Sequence, residues 1–232
     1  MRRIIVSAFV SLDGVMQAPG GPQEDPTGGF AHGGWMAAHW EDELGEAIDT
    51  VFSRPFDLLL GRRTYDIFAA HWPYIERDPE APGYDAGSAA MATLFDGITK
   101  FVVTHHPETL DWEVSRALGE DVVGALRHLK DEDGPDLLVQ GSGEVLQILL
   151  ENGLIDELTV MIAPIVLGRG KRLFGPGSAA TGLAPVRSRV TPKGAIIATY
   201  RPAGPVETGS FAMDTPAAAE LARREKMARE DG

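Results

Sequence analysis

Residues 57–68 read Asp-Leu-Leu-Leu-Gly-Arg-Arg-Thr-Tyr-Asp-Ile-Phe. An apolar run of strand length stops at Gly61, two arginines follow, and Thr64 opens a segment with helical spacing. A strand that feeds a helix through a Gly-Arg-x-Thr corner presents free backbone N–H groups, a hydroxyl and fixed positive charge together. Gly61 permits the tight turn that makes these donors converge. The corner is either an anion site or a hydrophilic strand–helix turn.

Working outward, strand-like and helix-like segments alternate. Residues 4–11 read as a buried strand closed by the turn Leu12-Asp13-Gly14. Residues 17–34 form a Gly/Pro-rich loop of the length often used for binding lids. Residues 41–52 place Leu44, Ala47, Ile48, Val51 and Phe52 on one helical face, with carboxylates in the first turn where the helix dipole favours them. After the strand at 57–60 and its helix, residues 73–90 read as a second polar loop. Residues 100–104 form a short strand closed by His105-His106-Pro107, and a helix over 119–130 turns Val122, Leu126 and Leu129 inward. The strand at 136–140 passes through Gly141-Ser142-Gly143 into a helix over 144–152 that Gly153 stops. A strand at 157–166 carries Pro164, which places it at or near a sheet edge there, and a last strand covers 195–201.

This order predicts a mostly parallel sheet covered on both faces, with an antiparallel finish where the late strands lack intervening helices. The domain covers residues 1–201. Residues 202–232 form an extension in which Thr215-Pro216 opens a surface or partner-contacting helix. With 232 residues, 44% of them hydrophobic and 24% charged, the chain can bury one substantial core. A net charge of −13 argues against non-specific contact with nucleic acid or an anionic membrane. The absence of cysteine excludes disulfides, thiolate nucleophiles and Cys-ligated zinc. With no segment of signal-peptide or transmembrane character, the expectation is a soluble cytoplasmic protein. No metal site is expected, because adjacent His105 and His106 on a strand would point apart.

The second glycine corner, Gly141-Ser142-Gly143, fits either a backbone approach to a pyrophosphate or tight strand–helix packing. It is too short for a Rossmann fingerprint. Two such corners and a third strand end, Thr104-His105, can line one crevice beyond the carboxyl ends of parallel strands.

On these residues the chain resembles the dihydrofolate reductase superfamily, and more closely the C-terminal reductase domain of bifunctional riboflavin biosynthesis deaminase-reductases. The matching elements are Ser11-Leu12-Asp13-Gly14, Leu-Gly-Arg-Arg-Thr-Tyr at 60–65, Gly-Ser-Gly-Glu at 141–144, and Asp156-Glu157-Leu158 with Ala-Pro-Ile-Val-Leu-Gly-Arg-Gly at 163–170. The resemblance implies an α/β three-layer fold and an NADPH-dependent reductase acting on a small heterocyclic or carbonyl compound, in a chain that pairs as a homodimer. It assigns Gly61, Arg62 and Thr64 to the cofactor phosphates, and Thr104 and His105 to the adenosine side. It assigns Gly141, Ser142, Gly143, Glu144 and Val145 to the pyrophosphate and nicotinamide, and Ala8 and Met16 to the nicotinamide edge. Dihydrofolate reductases often carry a basic residue where Glu144 stands. The acid leaves the choice between NADPH and NADH open, with Arg63 or His105 as compensating cations.

On the substrate side, the resemblance puts a carboxylate on the first helix, matched by Glu43 and Asp42. These acids are either proton-transfer groups or solvated first-turn acids. Trp35, His39, Trp40, His71 and Trp72 suit either an aromatic wall for a planar substrate or core packing. Deaminase chemistry is excluded, since its zinc signature needs cysteines. The alternative to a reductase is a nucleotide-binding or sensor protein that retains the cleft without turnover.

Overall fold

Strand-length apolar runs become the inner strands of one sheet in the computed structural model, which describes residues 1–212 and 214–230. The strands are β1 (Ile4–Ser11), β2 (Phe56–Gly61), β3 (Lys100–Val103), β4 (Ser115–Ala117), β5 (Asp136–Gln140), β6 (Glu157–Ala163), β7 (Leu183–Val190) and β8 (Ile196–Pro202). Their order is β4-β3-β2-β5-β1-β6-β8-β7. The first six are parallel; β8 runs antiparallel to β6, and β7 antiparallel to β8. Leu58, Leu59 and Leu60 are all fully buried, which is why β2 is a continuous apolar run: a parallel strand covered on both faces needs no alternation.

Helices cover both faces. On one, α1 (Asp42–Phe52), α2 (Arg62–Ala69) and α3 (Ala86–Gly97) pack through Leu44, Ala47, Tyr65 and Phe95 against Ile5, Leu58, Leu60 and Met161. On the other, α4 (Val122–Asp131) and α5 (Gly143–Glu151) set Leu126, Leu129, Leu146 and Leu149 against Ile4, Val6, Leu59 and Val139. This is the α/β three-layer, dihydrofolate reductase-like architecture.

Several boundaries depart from the sequence expectations. The loop predicted over 73–90 ends at Asp85, whose carboxylate accepts Ser88 N at 2.7 Å and caps α3. The helix expected from Thr64 begins at Arg62, so both arginines lie in its first turn. β6 stops at Ala163 and lies between β1 and β8, so Pro164 closes an inner strand rather than marking an edge. The unforeseen β7 is the edge on this side of the sheet, with β4 at the other end. All eight of its residues are exposed, so no buried face imposes an alternating pattern, and Pro185, a bulge and two arginines guard its free side. Beyond β8, the exposed α6 (Ala218–Glu230) starts two residues after Pro216 and buries nothing. Among the described residues no helix is long and apolar enough to cross a membrane.

Charge is concentrated under the amino ends of the strands. Arg2 pairs with Asp57, Arg3 with Asp136 at 2.7 Å, Arg54 with Asp136 at 3.1 Å, and Lys130 with Asp156. The opposite, carboxyl edge carries the glycine corners.

Candidate functional site

At the carboxyl edge β5 stops early. Its last registered partner on β1 is Ser7, opposite Gln140, whereas β1 continues to Ser11 beside β6. Arg3 and Ser7 turn their carbonyls toward β5, accepting Leu137 N and Gly141 N, while Ile4 turns toward β6 and accepts Asp156 N. Alternation along the strand therefore aims the main-chain groups of Phe9 into the gap that β5 leaves. Those of Ala8 face β6, so the open backbone edge is at the next residue, Phe9.

The two glycine corners meet beside this gap. Gly61 N donates to Ser142 Oγ at 2.9 Å, and Ser142 Oγ donates to Thr64 Oγ1 at 2.8 Å. One hydroxyl thus ties two strand ends far apart in sequence. Ser142 holds a left-handed backbone, φ 53° and ψ 62°, a conformation costing a non-glycine residue about 1–2 kcal/mol. Gly141 before it has φ +67°. Met16 closes the corner: its Cε and Sδ lie 3.5 Å from where Cβ atoms on Gly141 and Gly143 would stand.

Neither helix that starts here is capped by a side chain. Gly61, the N-cap of α2, has none, and Ser142, the N-cap of α5, spends its hydroxyl on the other corner. By contrast, Asp85 and Asp121 cap α3 and α4. The first-turn N–H groups of two neighbouring helices therefore face one corner with no side-chain acceptor, an arrangement suited to an anion. The donor set and the glycine backbone fit the phosphates of a dinucleotide.

The charged residues are less free than the sequence implies. Arg62 pairs with Asp66 at 2.8 Å, donates to Thr109 Oγ1 and to His106 O at 3.4 Å, and lies 5.7 Å over the Tyr65 ring. It bridges the corner to the segment after β3, and the hydrogen bond to Asp66 raises its pKa further. Arg63 reaches Asp25 at 3.6 Å. Thr104 is buried and accepts His106 N at 3.0 Å, while His105 is exposed. Glu144 is exposed in the first turn of α5, where it complements the dipole and opposes a second anion. Val145 is core: its Cγ2 lies 3.3 Å from the Cβ position of Gly61 and forms a wall behind the corner.

The 17–34 loop is fastened. Gln17 donates to Asp25 O and Thr27 O, both at 2.9 Å, and accepts Lys171 N at 3.0 Å. Buried Asp25 takes Lys171 Nζ at 2.5 Å, and Trp35 Nε1 donates to Gln17 O at 2.8 Å. Asp13 joins the Ser-Leu-Asp-Gly turn to the later glycine segment, accepting Ser11 Oγ at 2.7 Å, Leu167 N at 3.0 Å and Gly168 N at 2.9 Å. These bonds, the Ser11 hydroxyl foremost, hold its carboxyl down at about 2. Two of the motifs spotted in sequence are thus one structural clamp.

The carboxylates expected on the substrate side lie on the first turn of α1. Asp42 is exposed. Glu43 is half-buried and Arg189 of β7 donates to its main-chain oxygen at 2.5 Å; its carboxylate has no hydrogen-bond or ion-pair partner among the described residues. The buried acid of that turn is Glu41, held by Thr191 Oγ1 and by Lys193 N at 3.1 Å. Of the aromatic residues, Trp35 is core and Trp72 packs at 5.0 Å against Phe95. Trp40, 44% exposed, meets Phe9 edge-on at 6.1 Å beside the gap. Phe9 was missed because strand periodicity does not reveal where its neighbour stops. Among the described residues no group of three or more His, Asp or Glu could hold a metal ion.

Residues 2–197 match the RibD C-terminal domain, and the chain belongs to that family. It is similar to the uncharacterized protein YyaP of Bacillus subtilis (strain 168), 26% identical over 203 residues that cover 86% of this chain and 94% of that one. In fold it is similar to a putative riboflavin biosynthesis protein from Shewanella sp. PV-4, with TM-score 0.55 and 20% identity, covering 87% of this chain and 99% of that one. It is also similar to dihydrofolate reductase from Enterococcus faecalis complexed with NADP(H), with TM-score 0.50 and 14% identity, covering 86% and 96% of the two chains.

Proposed function

We infer that the protein is an NAD(P)H-dependent reductase that passes a hydride to a small heterocyclic or carbonyl compound. The observation that carries this reading is the meeting of two uncapped helix N-termini at the Ser142 hydroxyl, beside an open length of β1. Family membership supports a reductase-like function, and the neighbour complexed with NADP(H) supports a nicotinamide cofactor.

Gly61, Arg62 and Thr64 would hold the cofactor phosphates with the N–H groups of Gly143, Glu144 and Val145. Thr104 and His105 would take the adenosine side. Met16 and the open edge of β1 at Phe9 would flank the nicotinamide, with Ala8 behind them. When bound, the nicotinamide supplies the hydride from C4; the protein orients it and keeps water from the reacting face. Glu144 disfavours an additional phosphate near α5, so NADPH preference would depend on Arg62, Arg63 and His105.

Fluorescence titration with NADPH and NADH tests the cleft, and no saturable binding of either at near-millimolar concentration would reject it. Arg62→Ala should weaken the bound cofactor by about 1–3 kcal/mol, the scale of a lost charge-assisted hydrogen bond. The exposed Asp66 partner offsets little of this, since such pairs contribute about 0–1 kcal/mol. An unchanged dissociation constant would remove Arg62 from the phosphate site.

A second reading, a nucleotide-binding protein without turnover, is favoured by one observation: Asp42 is exposed and the Glu43 carboxylate has no hydrogen-bond or ion-pair partner among the described residues. Binding without oxidation across pterins, flavin precursors and small carbonyls would support it. For the reductase, Glu43 is the proposed proton-transfer residue. Glu43→Gln should then lower kcat and leave cofactor affinity unchanged; loss of both, or of neither, counts against that role.

A further inference from the structure

Between the 17–34 loop and the segment after β6 lies a cavity of about 490 Å³ that the proposed cofactor corner does not use. Residues 15–17, held to 171–172 by an isolated bridge from Val15 to Arg172 and by the bond from Met16 N to Lys171 O, separate the two. Met16 points to Gly141 and Gly143, whereas Val15 and Gln17, on its other side, face Phe30 and the cavity.

The floor of the cavity is the Phe30 ring. Its lip is formed by Thr27, Gly28 and Gly29 on one side and by Arg169 and Lys171 on the other. Gly28 and Gly29 both have positive φ, 68° and 72°, and nothing lies within 4 Å of either Cβ position, so no side chain narrows the cavity there. His32 stands edge-on to Phe30 at 5.8 Å.

The charge balance is unusual for a chain with net charge −13. Lys171 on the lining is matched by Asp25, which Arg63 of the helix corner, outside the cavity, also reaches. Arg172 is matched by Asp13. Glu24, the remaining acid of the loop, accepts Gly20 N at 2.7 Å and Gly21 N at 3.1 Å, turned into its own turn. The side chains of Arg169 and His32 have no hydrogen-bond or ion-pair partner among the described residues. The unpaired Arg169 guanidinium therefore stands on a cavity whose lining includes the Phe30 ring, and a cleft concentrates its field.

We propose that this cavity is a second ligand site that takes a small aromatic carboxylate, its ring on Phe30 and its carboxylate on Arg169. Arginine suits this task because its planar fork matches a carboxylate. The site does not depend on the reductase reading, since none of its residues belongs to the helix corner.

NMR titration of the full chain with benzoate, with acetate as the ringless control, tests it in the absence of any nicotinamide. Benzoate should shift the amides of Gly28, Gly29 and Gly170 saturably, with at least fivefold tighter binding than acetate. Arg169→Ala should weaken benzoate at least fivefold; being exposed and unpartnered, Arg169 can be removed without unfolding the chain. Acetate equal to benzoate, affinity unchanged in Arg169→Ala, or shifts confined to 61–64 and 141–145 would each overturn the proposal. The last outcome would also show that anions choose the helix corner, which leaves the cofactor reading standing.

Discussion

Asp57→Ala is expected to lower the unfolding free energy by about 3–5 kcal/mol, a large share of the 5–15 kcal/mol typical of a folded domain. Asp57 heads the apolar run that decides the fold, and its two oxygens do different work. One accepts the Arg2 guanidinium, and the other accepts Thr99 N at 2.9 Å, joining the start of β2 to the turn before β3. Arg2 is 5% exposed, donates from Nε to Pro135 O at 2.5 Å and lies 5.3 Å over the Phe101 ring. Removing the carboxylate leaves this cation buried and uncompensated, which costs more than the intact pair contributes. Urea unfolding of Asp57→Ala and of the double variant Arg2→Met, Asp57→Ala separates the two effects. If the unpaired charge is the cause, the double variant regains most of the loss. A single-variant loss under about 1 kcal/mol, or no recovery in the double, would contradict this account.

The inner strands were legible because a strand buried on both faces is written as an uninterrupted apolar run, and the alternation with helices dictated a parallel sheet. β7 was not, since none of its residues is buried and Leu183 to Val190 carries no face-specific pattern. α3 was hidden by small residues: Ala-Gly-Ser-Ala-Ala has weak periodicity, and the helix is specified by the Asp85 cap and by Phe95 instead. At the site, the sequence located the three strand ends on one edge. It did not show that Ser142 would hold Gly61 and Thr64, because that contact depends on β5 lying beside β2. Nor could it show Arg63 engaged by Asp25, since the i,i+4 pair of Arg62 with Asp66 is readable but a loop acid returning from residue 25 is not.

Gly170→Ala is expected to destabilise the chain by about 2–4 kcal/mol, adding overpacking to an unfavourable backbone conformation. Gly170 has φ +128°, and a Cβ there would stand 2.5 Å from Val15 Cγ1 and 3.0 Å from Phe30 Cε2. Val15 is fully buried between the sheet and the 17–34 loop, so the clash falls on core atoms rather than on a movable side-chain end. Relief requires the 171–172 segment to withdraw, which strains the Met16 N to Lys171 O bond of 2.8 Å and the Lys171 N to Gln17 Oε1 bond of 3.0 Å. Met16 would then leave Gly141 and Gly143, and cofactor affinity should fall along with stability. Gly168→Ala is the matched control: φ is +74°, no atom lies within 4 Å of its Cβ position, and only the backbone cost of about 1–2 kcal/mol applies. Thermal unfolding and NADPH titration of both variants decide the matter. Equal losses of stability would show that backbone conformation alone requires glycine here. A greater loss at Gly170 with weakened NADPH binding would show that the loop, the clamp and the helix corner move as one packed unit, because a Cβ in contact with Val15 can reach the corner only through Met16.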